Sequence, residues 1–183
     1  MKTKAILFVG FAMLFALGSF AQKATPSAGV VLKAAYARAA KQDKMVLLMF
    51  HASWCGWCKK MDSSLLDTKY IFDKNFTIEH LTVQESKGKE YLENPGAEEL
   101  LQQYNGKGQG LPYWVILNKE GTLLFDSRLQ KVQPDGTMKG NSIGCPATKE
   151  EVDYFISILK KTTSLDGDDL GIIQDRFRLN EAK

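Results

Sequence analysis

Six consecutive apolar residues, Met45-Val46-Leu47-Leu48-Met49-Phe50, run directly into His51-Ala52-Ser53-Trp54-Cys55-Gly56-Trp57-Cys58-Lys59-Lys60. No other junction in the chain constrains the fold as strongly. An unbroken apolar run of this length has the size and composition of a buried strand. Beyond Cys58 the apolar residues are Met61, Leu65 and Leu66 among polar neighbours, a helical spacing. Cys55 therefore falls where a buried strand turns into a helix. Unpaired backbone N–H groups and the positive end of the helix dipole favour a thiolate there, and the thiolate is the nucleophilic form of cysteine. Cys58, one helical turn further on, can reach back to close a small disulfide. The pair reads as a dithiol redox site.

Trp54-Cys55-Gly56-Trp57-Cys58-Lys59 after an apolar strand resembles the thioredoxin superfamily. The fuller phrase, an Ala-rich helix, Lys44, the strand and then Ala52-Ser53-Trp54-Cys55-Gly56-Trp57-Cys58-Lys59-Lys60-Met61, is similar to its thioredoxin-like periplasmic branches. A second segment, Gly110-Leu111-Pro112-Tyr113-Trp114-Val115-Ile116-Leu117, resembles the family's cis-proline segment, and Pro112 lies 54 residues beyond Cys58. The resemblance covers residues 28–162. It implies an α/β thioredoxin fold with a four- or five-stranded mixed sheet between helices. It also implies that Pro112 lies beside the cysteines and that the backbone of Leu111 pairs with substrate. The Ile143-Gly144 turn would form another wall of the same groove, with Gly144 and Cys145 lining its rim.

The chemistry expected of such a site is thiol–disulfide exchange. Cys55 attacks a substrate disulfide, and Cys58 then attacks the mixed disulfide, releasing reduced substrate; the reverse steps oxidise a substrate. Trp54, Gly56 and Trp57 are the immediate neighbours. Three positions depart from the commonest pattern of the family. Gly56-Trp57 replaces Gly-Pro between the cysteines, Met49 stands where many thioredoxins bury a carboxylate, and His51 stands where those proteins often carry an aromatic residue. The direction of electron flow is left open by these departures. His51 is expected to be a half-buried strand residue with one hydrogen bond, and His80 an ordinary strand residue.

Lys2 and Lys4, the apolar stretch from Ala5 to Leu17, and small residues before a cut after Ala21 describe a secretory signal peptide at residues 1–21. The exported protein would be residues 22–183, with the periplasm preferred over release outside the cell, and with no stable membrane association after cleavage. An oxidising compartment is where disulfide substrates are found. Losing Lys2 and Lys4 from 24 basic residues leaves 22 against 21 acidic ones. That balance gives no reason to expect nucleic acid or an anionic membrane as partner. The expected partners are protein thiols and disulfides, together with a further redox protein.

Along the rest of the chain, Ser27 to Gln42 reads as a helix with Val30, Val31, Ala34, Ala35 and Ala39 inward. Asp67-Thr68 is a helix-start signal for a short turn carrying Tyr70, Ile71 and Phe72. Phe76 to Val83 makes the next strand. The stretch Glu90–Tyr104 is helical but broken at Asn94-Pro95-Gly96. Leu111–Leu117 and Thr122–Phe125 read as a hairpin, and Gln130–Gly140 as a polar loop or small extra hairpin. Thr148 to Lys161 is a helix opened by a Thr148/Glu151 capping box. The thioredoxin-like domain is assigned to residues 22–163 and a C-terminal helical extension to 164–183; its stripe of Leu170, Ile173 and Phe177 is read as packing back on the domain in preference to a partner or dimer contact.

Two other classes compete with an exchange enzyme. A structural zinc site needs four ligands, and beyond Cys55 and Cys58 only Cys145, His51 and His80 are available, with no second pair at metal-ligand spacing. No metal or other cofactor is expected. A non-catalytic module that holds peptides in the same groove is the second rival, and the intact cysteine pair makes it the weaker one. Cys145 is read as a small, partly buried residue in preference to a third reactive thiol.

Overall fold

The strand Met45–His51 (β1) is buried from Val46 to Phe50, because it runs between two other strands with helices over both faces. The computed structural model describes residues 24–132, 134 and 138–181. In chain order its elements are α1 (Ala28–Gln42), β1, α2 (Gly56–Asp67), α3 (Lys69–Asn75) and β2 (Phe76–Thr82). A single 3-10 turn at Glu90–Leu92, α4 (Ala97–Gln103), β3 (Tyr113–Leu117) and β4 (Leu123–Asp126) follow. The chain then forms β5 (Arg128–Val132), β6 (Met138–Ser142), α5 (Lys149–Thr162) and α6 (Gly167–Arg178). The main sheet has the order β2-β1-β3-β4. β2 is parallel to β1, whereas β3 and β4 are antiparallel to their neighbours. This is the expected α/β sheet, with four strands.

Alternation along β1 divides the core into two layers. Val46, Leu48 and Phe50 face α1 and α4, where they meet Leu32, Ala35, Ala39 and Leu101. Leu47 and Met49 face the other way, toward Met61 and Leu65 of α2 and the aromatic group Phe72, Trp114, Phe155 and Phe177. Phe155 is central to that group, 5.3 Å from Trp114 and 5.1 Å from Phe177 between ring centroids.

The expected phase of α1 needs correction. Ala28, Leu32, Ala35 and Ala39 are buried, while Ala34 is exposed and Val30 is 60 % exposed. Ser27 caps the helix by accepting from the N–H of Val30, which fixes the start and turns the 28/32/35/39 stripe to the sheet. Leu66 in α2 is likewise exposed, because the buried stripe is Cys58, Met61 and Leu65. Thr68 does not cap α3; its hydroxyl donates back to the Ser64 carbonyl at 2.7 Å. The break before α4 and the Thr148/Glu151 capping box of α5 are both present as expected.

β5 and β6 pair with each other as a separate two-stranded ribbon. The ribbon is anchored where Arg128 places Nε and Nη2 on the Asp126 carboxylate and Tyr154 donates to the Arg128 carbonyl at 2.7 Å. α6 begins at Asp166, whose carboxylate accepts from the N–H of Asp169. It buries Leu170, Ile173 and Phe177 against the α2/α5 layer. The expected export signal at residues 1–21 lies outside the described residues. Among the described residues, no helix is long and apolar enough to cross a membrane.

Candidate active site

At the end of β1 the chain makes a tight turn in which the N–H of Cys55 donates to the carbonyl of Ala52 at 3.0 Å. Cys55 is the N-cap of α2, with extended backbone, and its Sγ accepts from the N–H of Cys58 at 3.0 Å. One of the unpaired N–H groups at the helix start is thus directed at the sulfur. Cys55 and Cys58 are joined as a disulfide with Cα atoms 5.3 Å apart. Both are buried, together with Ala52 and the partly buried Leu111. Trp54 and Trp57, on either side of Cys55, are by contrast 55 % and 45 % exposed. They make an aromatic surface around the sulfurs, with the Lys60 ammonium 4.3 Å from the Trp57 ring centroid.

The turn is held by a loop that sequence reasoning did not single out. The Glu85 carboxylate accepts from the Ser53 N–H at 2.6 Å and from its hydroxyl at 2.7 Å. The Trp54 indole N–H donates to the Gln84 carbonyl at 2.8 Å. Burial would raise the pKa of Glu85, but the Ser53 bonds, a Ser86 N–H and Lys89 together hold it below the usual carboxylate value.

Across the site the Leu111–Pro112 peptide is cis. Gly144 approaches it with φ of +56°. A side chain there would meet Pro112 only at ordinary van der Waals distance, so glycine is needed for its backbone conformation rather than for space. The Gly144 carbonyl accepts from the Trp114 indole at 2.9 Å, and its N–H donates to the Ser142 hydroxyl at 3.1 Å. The Ser142 N–H donates to the Gln109 side chain at 2.7 Å, which ties the β5–β6 ribbon to the loop before Pro112. Between these walls lies a groove of about 460 Å³ lined by Trp57, Leu111, Ile143, Gly144, Glu151 and Glu181 among others.

Cys145 also borders this groove, but its residue is only 3 % exposed. Its Sγ accepts from the Asn180 amide at 3.3 Å. Burial pushes the thiol pKa up to about 12, against the opposing pull of Lys60 and Arg176. Asn180, beyond the end of α6, was not visible as a site residue in the sequence. His51 is half-buried, with Nε2 3.2 Å from the Thr82 hydroxyl. Burial, then the neighbouring His80, lower its pKa, opposed by Asp62 and Glu85. His80 pairs with Asp62 at 2.9 Å. Among the described residues, no group of three or more His, Cys, Asp or Glu side chains is arranged to hold a metal ion.

Residues 32–130 match the family model of a thioredoxin-like domain, more than half of the chain. The chain belongs to the thioredoxin-like family. The activity that accompanies this fold and an intact Cys-x-x-Cys pair is thiol–disulfide oxidoreduction. Among solved structures, this thioredoxin-like chain is similar to a disulphide isomerase from Xylella fastidiosa, at 27 % identity over 54 % of this chain and 72 % of that one, with a TM-score of 0.44. It is also similar to the DsbH oxidoreductase, at 23 % identity over 78 % and 85 % of the two chains and a TM-score of 0.43. The C-terminal domain of DsbD from Neisseria meningitidis is 20 % identical over 76 % of this chain and all of that domain, with a TM-score of 0.42. No curated protein matches the chain.

Proposed function

We propose that this thioredoxin-like protein is an exported thiol–disulfide oxidoreductase that exchanges disulfides with protein substrates, Cys55 attacking and Cys58 resolving. The observation that carries this is the placement of Cys55. It caps α2 with a backbone N–H on its sulfur, Cys58 one turn behind it and an aromatic rim in front. A thiolate released at Cys55 on reduction would keep that N–H as a charge-assisted partner. The exposed Trp54 and Trp57 and the groove beside Leu111 and Gly144 give an extended substrate a surface to lie on. In this reading the backbone of Leu111 pairs with the substrate, and Pro112 and Gly144 shape the groove. Cys145 contributes to the wall through its backbone, while its thiol is covered by Asn180.

Export rests on the basic start, apolar core and Ala21 cut site of residues 1–21. The domain would then run over residues 22–163, with 164–183 as a helical extension that closes the back of the site. Reduction of insulin by dithiothreitol, followed as turbidity, tests the activity. The protein at micromolar concentration should shorten the lag, and the Cys55→Ser variant should not. A purified protein that turns over neither insulin nor a fluorescent peptide disulfide would be a peptide-holding module instead.

A further inference from the structure

The groove beside the disulfide has two walls from distant parts of the chain. One is Trp57 at the start of α2, and the other is the turn at 143–147. Both rest on one apolar layer, in which Met61 and Leu65 of α2 pack with Ile143 and Cys145. Apolar contact is non-directional and leaves the spacing of the walls adjustable. Among the described residues, no hydrogen bond runs directly from α2 to the 143–147 turn. The C-terminal extension supplies the link.

Three side chains from residues 176–180 reach both walls. Asn180 lies between them. Its amide donates to the Ser64 hydroxyl of α2 at 2.9 Å, to the Pro146 carbonyl at 3.2 Å and to Cys145 Sγ at 3.3 Å. Its backbone carbonyl accepts from Lys60 at 3.3 Å, and the same ammonium stands 4.3 Å from the Trp57 ring centroid. Arg176 grips α2, with Nε donating to Asp67 at 2.6 Å and Nη2 to the Ser63 hydroxyl at 3.1 Å. Its Nη1 donates to Asn180 Oδ1 at 3.3 Å. Arg178 grips the opposite wall, with Nη1 donating to the Ala147 carbonyl at 2.5 Å and Nη2 to Glu181 at 2.6 Å. Glu181 itself lines the groove. A guanidinium donates in fixed directions, so each arginine sets a distance as well as a contact. The helix that carries them is held independently, by Leu170, Ile173 and Phe177 in the apolar layer.

We propose that residues 176–181 are a brace that sets the width of the groove, with Arg176 and Arg178 as positioning residues for extended polypeptide substrates. This rests on the exchange reading above and narrows its substrate class. An extended segment lying against Trp57, the Leu111 backbone and the Gly144 turn touches both walls, so its binding depends on their spacing. A small disulfide such as hydroxyethyl disulfide needs only the sulfurs and the aromatic rim. The brace therefore favours polypeptide disulfides over small ones.

The test compares the rate constants of the reduced protein with insulin and with hydroxyethyl disulfide, read as thiol loss. Arg178→Gln frees the 143–147 wall and Arg176→Gln frees α2. Their side chains are 34 % and 19 % exposed, and the apolar stripe of α6 is intact in both variants. Either variant should lower the insulin-to-small-disulfide ratio about tenfold, the size of one lost hydrogen bond to a charged group. Arg178→Lys, which keeps a cationic donor beside Glu181, should recover part of that fall. Binding is read separately, by anisotropy of fluorescein-labelled, S-carboxymethylated insulin B chain on the oxidised protein, and Kd should rise by a similar factor in both variants. Rates that fall equally with both disulfides, or a ratio and Kd unmoved in either variant, overturn the proposal. If Kd responds as stated but the wild type reduces neither disulfide, the brace stands and the exchange reading falls.

Discussion

Replacing Asn180 by Ala removes the side chain that joins the C-terminal end to the back of the active-site helix. Asn180 is 5 % exposed. Its amide donates to the Ser64 hydroxyl at 2.9 Å, to the Pro146 carbonyl at 3.2 Å and to Cys145 Sγ at 3.3 Å, and its oxygen accepts from Arg176 at 3.3 Å. Ser64 retains its own bond to the Lys60 carbonyl, so it loses an incoming donor without being orphaned. The Pro146 carbonyl loses the amide and keeps only the long, weak contact from the Cys145 thiol at 3.9 Å. Counting one buried acceptor left unsatisfied gives a cost of about 2 kcal/mol. For a chain of this size that corresponds to a fall of about 4–8 °C in Tm. Urea unfolding gives the free energy, and thiol labelling of the oxidised native protein gives a second readout. Cys145 should become reactive in Asn180→Ala while the disulfide stays closed. A loss below about 0.5 kcal/mol, within the ordinary scatter of surface substitutions, with Cys145 still protected, would refute the reasoning.

Three further outcomes follow from particular contacts. In the reduced wild type, iodoacetamide should label Cys55 first and Cys145 last, because the Cys145 thiol is buried with its pKa pushed up to about 12; peptide mapping at timed intervals reads the order, and early Cys145 modification would contradict it. Phe177→Ala should cost about 3–5 kcal/mol as a cavity in the Phe155 cluster, measured by urea unfolding, since Phe177 is fully buried against Phe155. His51 should make the fold acid-sensitive. Its folded pKa lies below the ordinary 6.5, so between 6.5 and that lower value the unfolded chain binds more protons and stability falls as the pH falls. The decline levels off once folded His51 titrates, and His51→Gln should flatten that part of the urea-midpoint profile against pH.

The parts of the site that the sequence disclosed are those whose determinants are adjacent in the chain. The unbroken run at 45–50, the cysteines three apart and the Thr148/Glu151 box each specify a local geometry through neighbouring residues, and each is found in place. α1 was misphased because alanines and valines occupy several of its faces. Only the cap at Ser27 and the fit to the sheet select Leu32 over Val30. Glu85, Asp62 and Asn180 act across 32, 18 and 116 residues, on Ser53, His80 and Ser64 respectively. Polar residues of these types are common on surfaces, and nothing next to them in the chain distinguishes them.

The central claim is that Cys55 and Cys58 act in order, the first holding substrate and the second releasing it. Trapping tests this most directly. Cys58→Ser, reduced and mixed with a peptide disulfide, should accumulate a covalent adduct that peptide mass spectrometry places on Cys55, whereas Cys55→Ser should accumulate none. An adduct carried by Cys58 in the Cys55→Ser protein, with Cys55 left free in the Cys58→Ser protein, would contradict the account.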